Sequence, residues 1–142
     1  RAATLTELGE ALRMLGRFDE AVAACVEAVA LEDMSHGTDG WQHAACLLCL
    51  GRAEQARSGP LAARTAFERV AAILDRGDVA PNTRAAAHEA LARTLREIDP
   101  ERSRELAQQA ASGYRAAGPA YAADLARVQV LALLPPLTPF PR

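Results

Sequence analysis

The chain contains no lysine: all sixteen of its basic residues are arginine. Phosphate-binding loops, the nucleotide anchor of protein kinases and Schiff-base catalysis each require a lysine side chain. These chemistries are therefore excluded from this chain. Its formal net charge of −2 is also too small to indicate binding to nucleic acid or to a membrane surface.

Aromatic residues and long apolar runs are scarce as well. Only 4% of the residues are aromatic although 50% are apolar, which favours many small helix–helix contacts over a cofactor pocket. No run approaches the roughly 20 apolar residues of a membrane-spanning helix, and the first residues lack a secretory signal pattern. We therefore predict a cytoplasmic protein without a cofactor. Because Arg1 is followed at once by a helical pattern, we expect the chain to be part of a longer protein.

The prolines predict where helices begin and end, since none of the eight falls inside an apolar-periodic stretch. Seven helices are predicted at about 2–15, 18–33, 40–57, 60–75, 82–97, 101–116 and 119–133. No stretch alternates with a period of two, so the predicted fold class is all-α. In the first helix Leu5, Leu8, Leu12 and Leu15 form one apolar stripe, which a preceding helical unit would normally cover.

Small residues recur in pairs along the chain. Each pair places one small residue in one helix and another in the next helix, 12, 12 and 11 positions later: Gly9 with Ala21, Gly51 with Ala63, and Ala92 with Ser103. A mid-helix glycine costs about 1 kcal/mol relative to alanine, so Gly9 and Gly51 indicate a closely approaching neighbour. Together with Phe67, these residues are the predicted packing positions of three helical hairpins.

The segment from Leu5 to Ala21 resembles the tetratricopeptide repeat, through its Leu-Gly pair, its turn Gly16 and its Phe18. The segment from Leu50 to Phe67 resembles the same motif. A third unit departs from it, because Ala92 replaces the glycine and the turn is shorter. The resemblance implies a superhelical stack of three hairpins with a capping helix. The predicted domain is 1–134, with units at about 2–35, 44–77 and 85–117, a cap at 119–133 and a proline-rich tail at 135–142.

The C-terminal part is similar to repeat regions attached to bacterial serine/threonine protein kinases, especially those of myxobacterial type. The residues that carry this resemblance are 91–95, 103–110 and 118–126. It implies a protein-interaction segment of a larger signalling protein, with catalysis elsewhere and no catalytic residue in this chain. The alternative parent is a transcriptional regulator with a helical-repeat sensor region.

In tetratricopeptide arrays the first helix of each repeat lines a groove. The resemblance therefore implies a set of groove residues in this chain: Thr6, Glu10, Arg13, Met14, Leu48, Arg52, Gln55, Glu89, Arg93 and Arg96. Arginine outnumbers acid four to two in this set, so we predict a protein or peptide partner that carries carboxylates or phosphates. The alternative is that these arginines are merely solvated.

His43, Cys46 and Cys49 follow one another at steps of three on the third predicted helix. A metal or thiol site on these residues is a remote alternative, because such positions drift around a helix and do not converge. We interpret the cysteines as buried packing residues, and their odd total argues against a disulfide framework. His88 is predicted to be a partly exposed helical residue, with a pH-sensitive groove residue as the alternative. Trp41 is predicted to be a packing anchor, with partner binding as the alternative.

Overall fold

The computed structural model describes residues 1–35, 40–76 and 79–135. The helices in this part of the chain are α1 (Ala2–Met14), α2 (Phe18–Ser35), α3 (Trp41–Ser58), α4 (Pro60–Arg76), α5 (Pro81–Leu95), α6 (Pro100–Ala117) and α7 (Ala122–Leu133), with a 3₁₀ turn at Pro119–Tyr121. The described residues contain no strand, so the predicted all-α class is confirmed. Most of the predicted proline-rich tail lies outside the described residues.

The described helices group into two compact units. Unit 1 is Arg1–Asp78 and holds α1 to α4, whereas unit 2 is Val79–Arg142 and holds α5 to α7. In unit 1, α1 packs on α2 and α3, and α3 packs on α2 and α4. In unit 2, α6 packs on both α5 and α7.

The hairpin turn between α1 and α2 depends on Gly16. Its φ is 77°, in the left-handed region that glycine adopts at little cost. The amide of Gly16 donates to the carbonyl of Arg13, and the amide of Arg17 donates to the carbonyl of Leu12. These bonds satisfy the last carbonyls of α1 and reverse the chain toward α2.

Two mid-helix glycines of unit 1 lie where neighbouring side chains approach too closely for a Cβ atom. A Cβ on Gly9 would lie 2.5 Å from Sγ of Cys25 and 2.7 Å from Sγ of Cys49. A Cβ on Gly51 would lie 2.7 Å from Cε1 of Phe67, which is fully buried. Both glycines therefore let a neighbouring helix come close at a point where any other residue would push it away.

The leucine stripe of α1 is divided between the core and the surface. Leu12 is buried, whereas Leu8 is 49% exposed and Leu15 is 72% exposed. The buried face of α1 consists of Ala2, Gly9 and Leu12. Because α2 and α3 pack on the side of α1 that carries Gly9, Leu8 and Leu15 lie outside this contact.

A disulfide joins Cys25 of α2 to Cys49 of α3, with their Cα atoms 5.7 Å apart. Both cysteines are buried, and Cys46 is a buried free thiol. The prediction against a disulfide was therefore wrong. An odd number of cysteines excludes only complete pairing, and the helix packing beneath Gly9 brings two of the three together.

In unit 2 the close contact between α5 and α6 uses different chemistry. The hydroxyl of Ser103 donates a 2.6 Å hydrogen bond to the carbonyl of Ala92 in the buried interface. A Cβ on Gly113 would lie 2.8 Å from the Cβ of Ala85. A second small-residue contact, outside the predicted pairs, therefore lies further along the same helix pair.

The burial of His88 and that of Trp41 differ from what the sequence predicted. His88 is only 4% exposed, so the prediction of a partly exposed residue was wrong. It lies on the same face of α5 as the buried Ala85, Leu91 and Ala92. Trp41 is 42% exposed, which is more than a packing anchor would show.

Candidate functional site

Three charged side chains meet where α1 packs beside α3. The carboxylate of Glu10 accepts hydrogen bonds from Arg13, at 2.8 Å from Nη2 and 3.0 Å from Nε. Its second oxygen accepts from Nη1 of Arg52 at 3.3 Å, which links two helices across 42 positions of sequence. The three side chains are 27–44% exposed, so the cluster faces solvent and lies within reach of a ligand.

We define the α1–α3 surface as Glu10, Arg13, Met14, Arg52 and Gln55. Two guanidinium groups face one carboxylate here, which leaves the charged cluster with a formal charge of +1. A guanidinium carries five N–H donors, more than one shared carboxylate can accept. Met14 is 80% exposed beside the cluster and adds apolar area. The surface can therefore combine charge-assisted hydrogen bonds with an apolar contact.

Two of the predicted groove residues are buried, and a third, Thr6, is partly buried and hydrogen-bonded within unit 1. The hydroxyl of Thr6 donates to the carbonyl of Ala2 at 2.9 Å and lies 3.4 Å from Sγ of Cys46. Leu48 and Glu89 are each only 6% exposed. A residue so buried offers almost no surface to a partner, so we leave Leu48 and Glu89 out of the candidate site.

Glu89 instead holds together the three helices of unit 2. Its carboxylate accepts hydrogen bonds from Arg127 of α7 at 2.7 and 2.8 Å. It also accepts a bond from the hydroxyl of Tyr114 on α6 at 2.9 Å and two bonds from Arg93 at 3.1 and 3.3 Å. Arg93, a predicted groove residue, is therefore committed to this cluster. The remaining predicted arginine, Arg96, donates to the carbonyl of Pro135 at 3.5 Å.

The electrostatics of this cluster favour the charged form of Glu89. The hydrogen bond from Arg127 is the largest cause, and it lowers the pKa of Glu89 to about 2 although burial opposes the change. Burial, followed by the hydrogen bond to Glu89, raises the pKa of Tyr114 to about 12. Glu89 therefore stays ionised and Tyr114 stays protonated across the physiological pH range, which preserves the hydrogen bonds of the cluster.

Substituting Glu89 by glutamine is expected to destabilise unit 2 by about 2 kcal/mol at neutral pH. This is less than the full pKa shift implies, because Arg127 is half exposed to water. A lowered pKa contributes stability that is complete above pH 4.5 and is lost as the pH falls toward 2. Urea unfolding at several pH values should therefore show the two proteins diverging between pH 2 and 5.

The matched control for this prediction is Glu105→Gln, which removes the more exposed ion pair with Arg102. Its effect is expected to stay below about 1 kcal/mol at every pH. If Glu89→Gln were as mild as this control, the buried cluster would not be what holds α7 in place.

His43 pairs with residues other than the cysteines. Its Nε2 lies 3.0 Å from a carboxylate oxygen of Asp33 on α2, and Arg69 of α4 lies 3.4 Å from the same oxygen. Cys49 is committed to the disulfide, so His43, Cys46 and Cys49 do not converge on one point. Among residues 1–35, 40–76 and 79–135, no group of three or more His, Cys, Asp or Glu side chains is arranged to hold a metal ion.

Within the part of the chain that the structure describes, no helix is both long enough and apolar enough to cross a membrane.

Comparison with solved structures shows which fold these helices form. A Podosopora anserina protein described as a kinesin light chain with nearly identical TPR-like repeats matches with a TM-score of 0.79 and 21% sequence identity. The match covers 93% of this chain, and this chain spans 64% of the length of that one. At this identity the likeness establishes the fold alone, which is that of a TPR-like helical repeat solenoid. No curated protein sequence matches the chain.

The family itself follows from the sequence of unit 1. A family model described as tetratricopeptide repeat matches residues 1–76, more than half of the 142 residues. Tetratricopeptide repeats generally mediate protein–protein interaction, and their fold is typically a non-catalytic scaffold. The chain belongs to the tetratricopeptide repeat family.

Proposed function

We propose that this chain is a protein-interaction module that binds an acidic peptide segment of its partner on the α1–α3 surface. The observation that carries the proposal is the meeting of Arg13 and Arg52, from two different helices, around the single carboxylate of Glu10. Guanidinium forks of this kind bind carboxylates and phosphates in two-point contacts. Tetratricopeptide repeats bind protein partners, which makes a peptide the natural carrier of these groups.

The proposed site is smaller than the groove that the sequence predicted. It keeps Glu10, Arg13, Met14, Arg52 and Gln55, all of which belong to unit 1. It leaves out the residues that are buried or tied to the Glu89 cluster. Arg93 in particular is a poor position for testing the site, because a charge reversal there would act on the stability of unit 2 through Glu89.

Reversing both arginines, Arg13→Glu with Arg52→Glu, is expected to weaken binding of acidic peptides at least tenfold. Each lost charge-assisted hydrogen bond is worth about 1.5–3 kcal/mol, so the loss of two contacts exceeds this threshold. The measurement is binding of the full chain to an array of acidic, neutral and basic peptides of equal length. The double variant should lose the acidic peptides and gain basic ones.

The control is Arg17→Glu with Arg57→Glu, which makes the same change in net charge. Arg17 pairs with Glu20 and Arg57 with Glu54, each three positions away, as Arg13 pairs with Glu10. This control should keep the acidic preference. An array in which both double variants behave alike would refute the site, because only long-range charge would then be at work.

The wider role that we propose is recruitment of partners within a bacterial signalling protein of the cytoplasm, with a serine/threonine kinase as the preferred parent. The similarity of residues 91–95, 103–110 and 118–126 to kinase-associated repeat regions supports this parent. A transcriptional regulator is the alternative. The buried disulfide between Cys25 and Cys49 counts against the cytoplasmic location, because disulfides are rare in a reducing cytoplasm. The coding sequence on either side of this chain decides between the two parents, since one requires a kinase domain and the other a DNA-binding domain.

A further inference from the structure

The carboxylate of Glu10 already occupies the place that an acidic ligand would take. It lies between the guanidinium groups of Arg13 and Arg52 and accepts hydrogen bonds from both. Glu10 and Arg13 are one helical turn apart on α1, so the internal carboxylate has a high effective concentration at the site. An external acid that binds between the two guanidinium groups must therefore compete with Glu10 for the donors that face it.

A ligand carboxylate gains little from this competition. It carries one negative charge and two acceptor oxygens, as Glu10 does, so exchanging one for the other leaves the number of bonds unchanged. The exchange also immobilises the ligand, which opposes binding. A monocarboxylate side chain on a peptide is therefore a weak ligand for the intact surface.

A phosphoryl group differs from Glu10 both in its charge and in its number of acceptor oxygens. On serine or threonine it carries about −1.5 to −2 charges at pH 7 and presents three acceptor oxygens, so it can bridge two guanidinium forks at once. The side chain of Glu10 is 27% exposed, which lets it rotate toward solvent when it is displaced. The exchange then replaces a single charge by nearly two.

We propose that the α1–α3 surface selects phosphorylated peptide segments over carboxylate-bearing ones, and that Glu10 sets this selectivity as an internal competitor. This inference rests on the proposed function, because it names the ligand class of the same site. Glu10 is a specificity residue here: it weakens binding of single carboxylates more than binding of phosphoryl groups.

The test is an NMR titration of the full chain that follows the Nε–Hε signals of Arg13 and Arg52. The two probes are N-acetyl-phosphoserine methylamide and N-acetyl-glutamate methylamide. The phosphoserine probe is expected to bind at least tenfold more tightly, and its affinity should fall as the pH drops through about 6, where the phosphate gains a proton. The affinity of the glutamate probe should not change over that range.

Glu10→Gln supplies the decisive variant. It removes the competing charge, so the affinity of the glutamate probe is expected to rise about tenfold. The ratio between the affinities of the two probes should therefore become smaller. The matched control is Glu20→Gln, which breaks the equivalent pair with Arg17 and should leave both affinities unchanged. Glu10→Gln is not expected to disturb folding, because a partly exposed glutamate is replaced by its isostere.

Equal affinities for the two probes in the wild-type chain would overturn the proposal, as would a ratio that Glu10→Gln leaves unchanged. Failure of the proposed function is a separate outcome. The charge-reversal variants could still abolish binding of acidic peptides while the two probes bind with equal affinity. That outcome would support the site and refute its selectivity for phosphoryl groups. If neither probe shifts Arg13 or Arg52 and charge reversal has no effect on peptides, both proposals fail.

Discussion

Replacing Gly9 by leucine is expected to destabilise unit 1 by about 3 kcal/mol, because the new side chain would meet the two sulfur atoms of the disulfide. A Cβ alone would lie 2.5 Å and 2.7 Å from them. The sulfurs are bonded to each other between α2 and α3, so neither can rotate away. Chemical unfolding followed by the fluorescence of Trp41 measures the effect, since this is the single tryptophan of the chain and lies in unit 1.

The control for this prediction is Ala11→Leu, which adds a leucine to the exposed side of the same helix. Its effect is expected to lie within about 0.5 kcal/mol of the wild type. If Gly9→Leu were as mild as Ala11→Leu, α1 would not pack on α2 and α3 as closely as the structure shows.

Reducing the disulfide is expected to cost unit 1 about 3 kcal/mol. The bridge closes a loop with a sequence separation of 24, and the chain-entropy model assigns about 3.5 kcal/mol to a loop of this length. Thermal unfolding of the oxidised and reduced wild-type chain, again followed by Trp41, should differ by roughly 10 °C or more. Comparing the two redox states of one chain avoids the cavity that a cysteine substitution would leave.

Cys46→Ala separates this effect from a general role of the thiols, because Cys46 lies outside the bridge. The gap between the oxidised and reduced transitions should persist in this variant. Alkylation of the unfolded chain should modify one cysteine before reduction and three after it. Coinciding transitions of the oxidised and reduced wild type would contradict the stabilising role of the bridge.

The helix boundaries were predictable because local chemistry determines them. Proline at Pro60, Pro81 and Pro100 begins α4, α5 and α6, and the side chain of Asp99 accepts from the amide of Arg102 as a cap. Gly16 turns the first hairpin with a positive φ. Each of these signals involves residues only a few positions apart, so no tertiary information is needed to interpret them.

The cross-helix chemistry was not predictable in the same way. The bond between Arg127 and Glu89 spans 38 positions, and the disulfide spans 24. Neither pair forms a sequence motif, because its members meet only when the helices have packed. Gly113 did carry a usable signal, since it is a mid-helix glycine like Gly9 and Gly51, but it lies outside the paired spacing.

The candidate site was predictable only in part, for a geometric reason. In unit 1 the family pattern places Arg13 and Arg52 at the surface. In the third predicted unit the same family pattern selects Glu89, which is buried. A shift of one residue rotates a helical side chain by about 100°, so a unit with a shortened turn and an altered small-residue pair does not carry surface positions over reliably.

The most direct measurement is an NMR map of intermolecular contacts between the intact chain and an acidic peptide selected on the array. We expect contacts from the peptide to Arg13, Met14 and Arg52 on α1 and α3. Contacts confined to Val26 and Met34, which are exposed on α2, would contradict the proposed site, because binding would then not use the surface at which the two arginines meet.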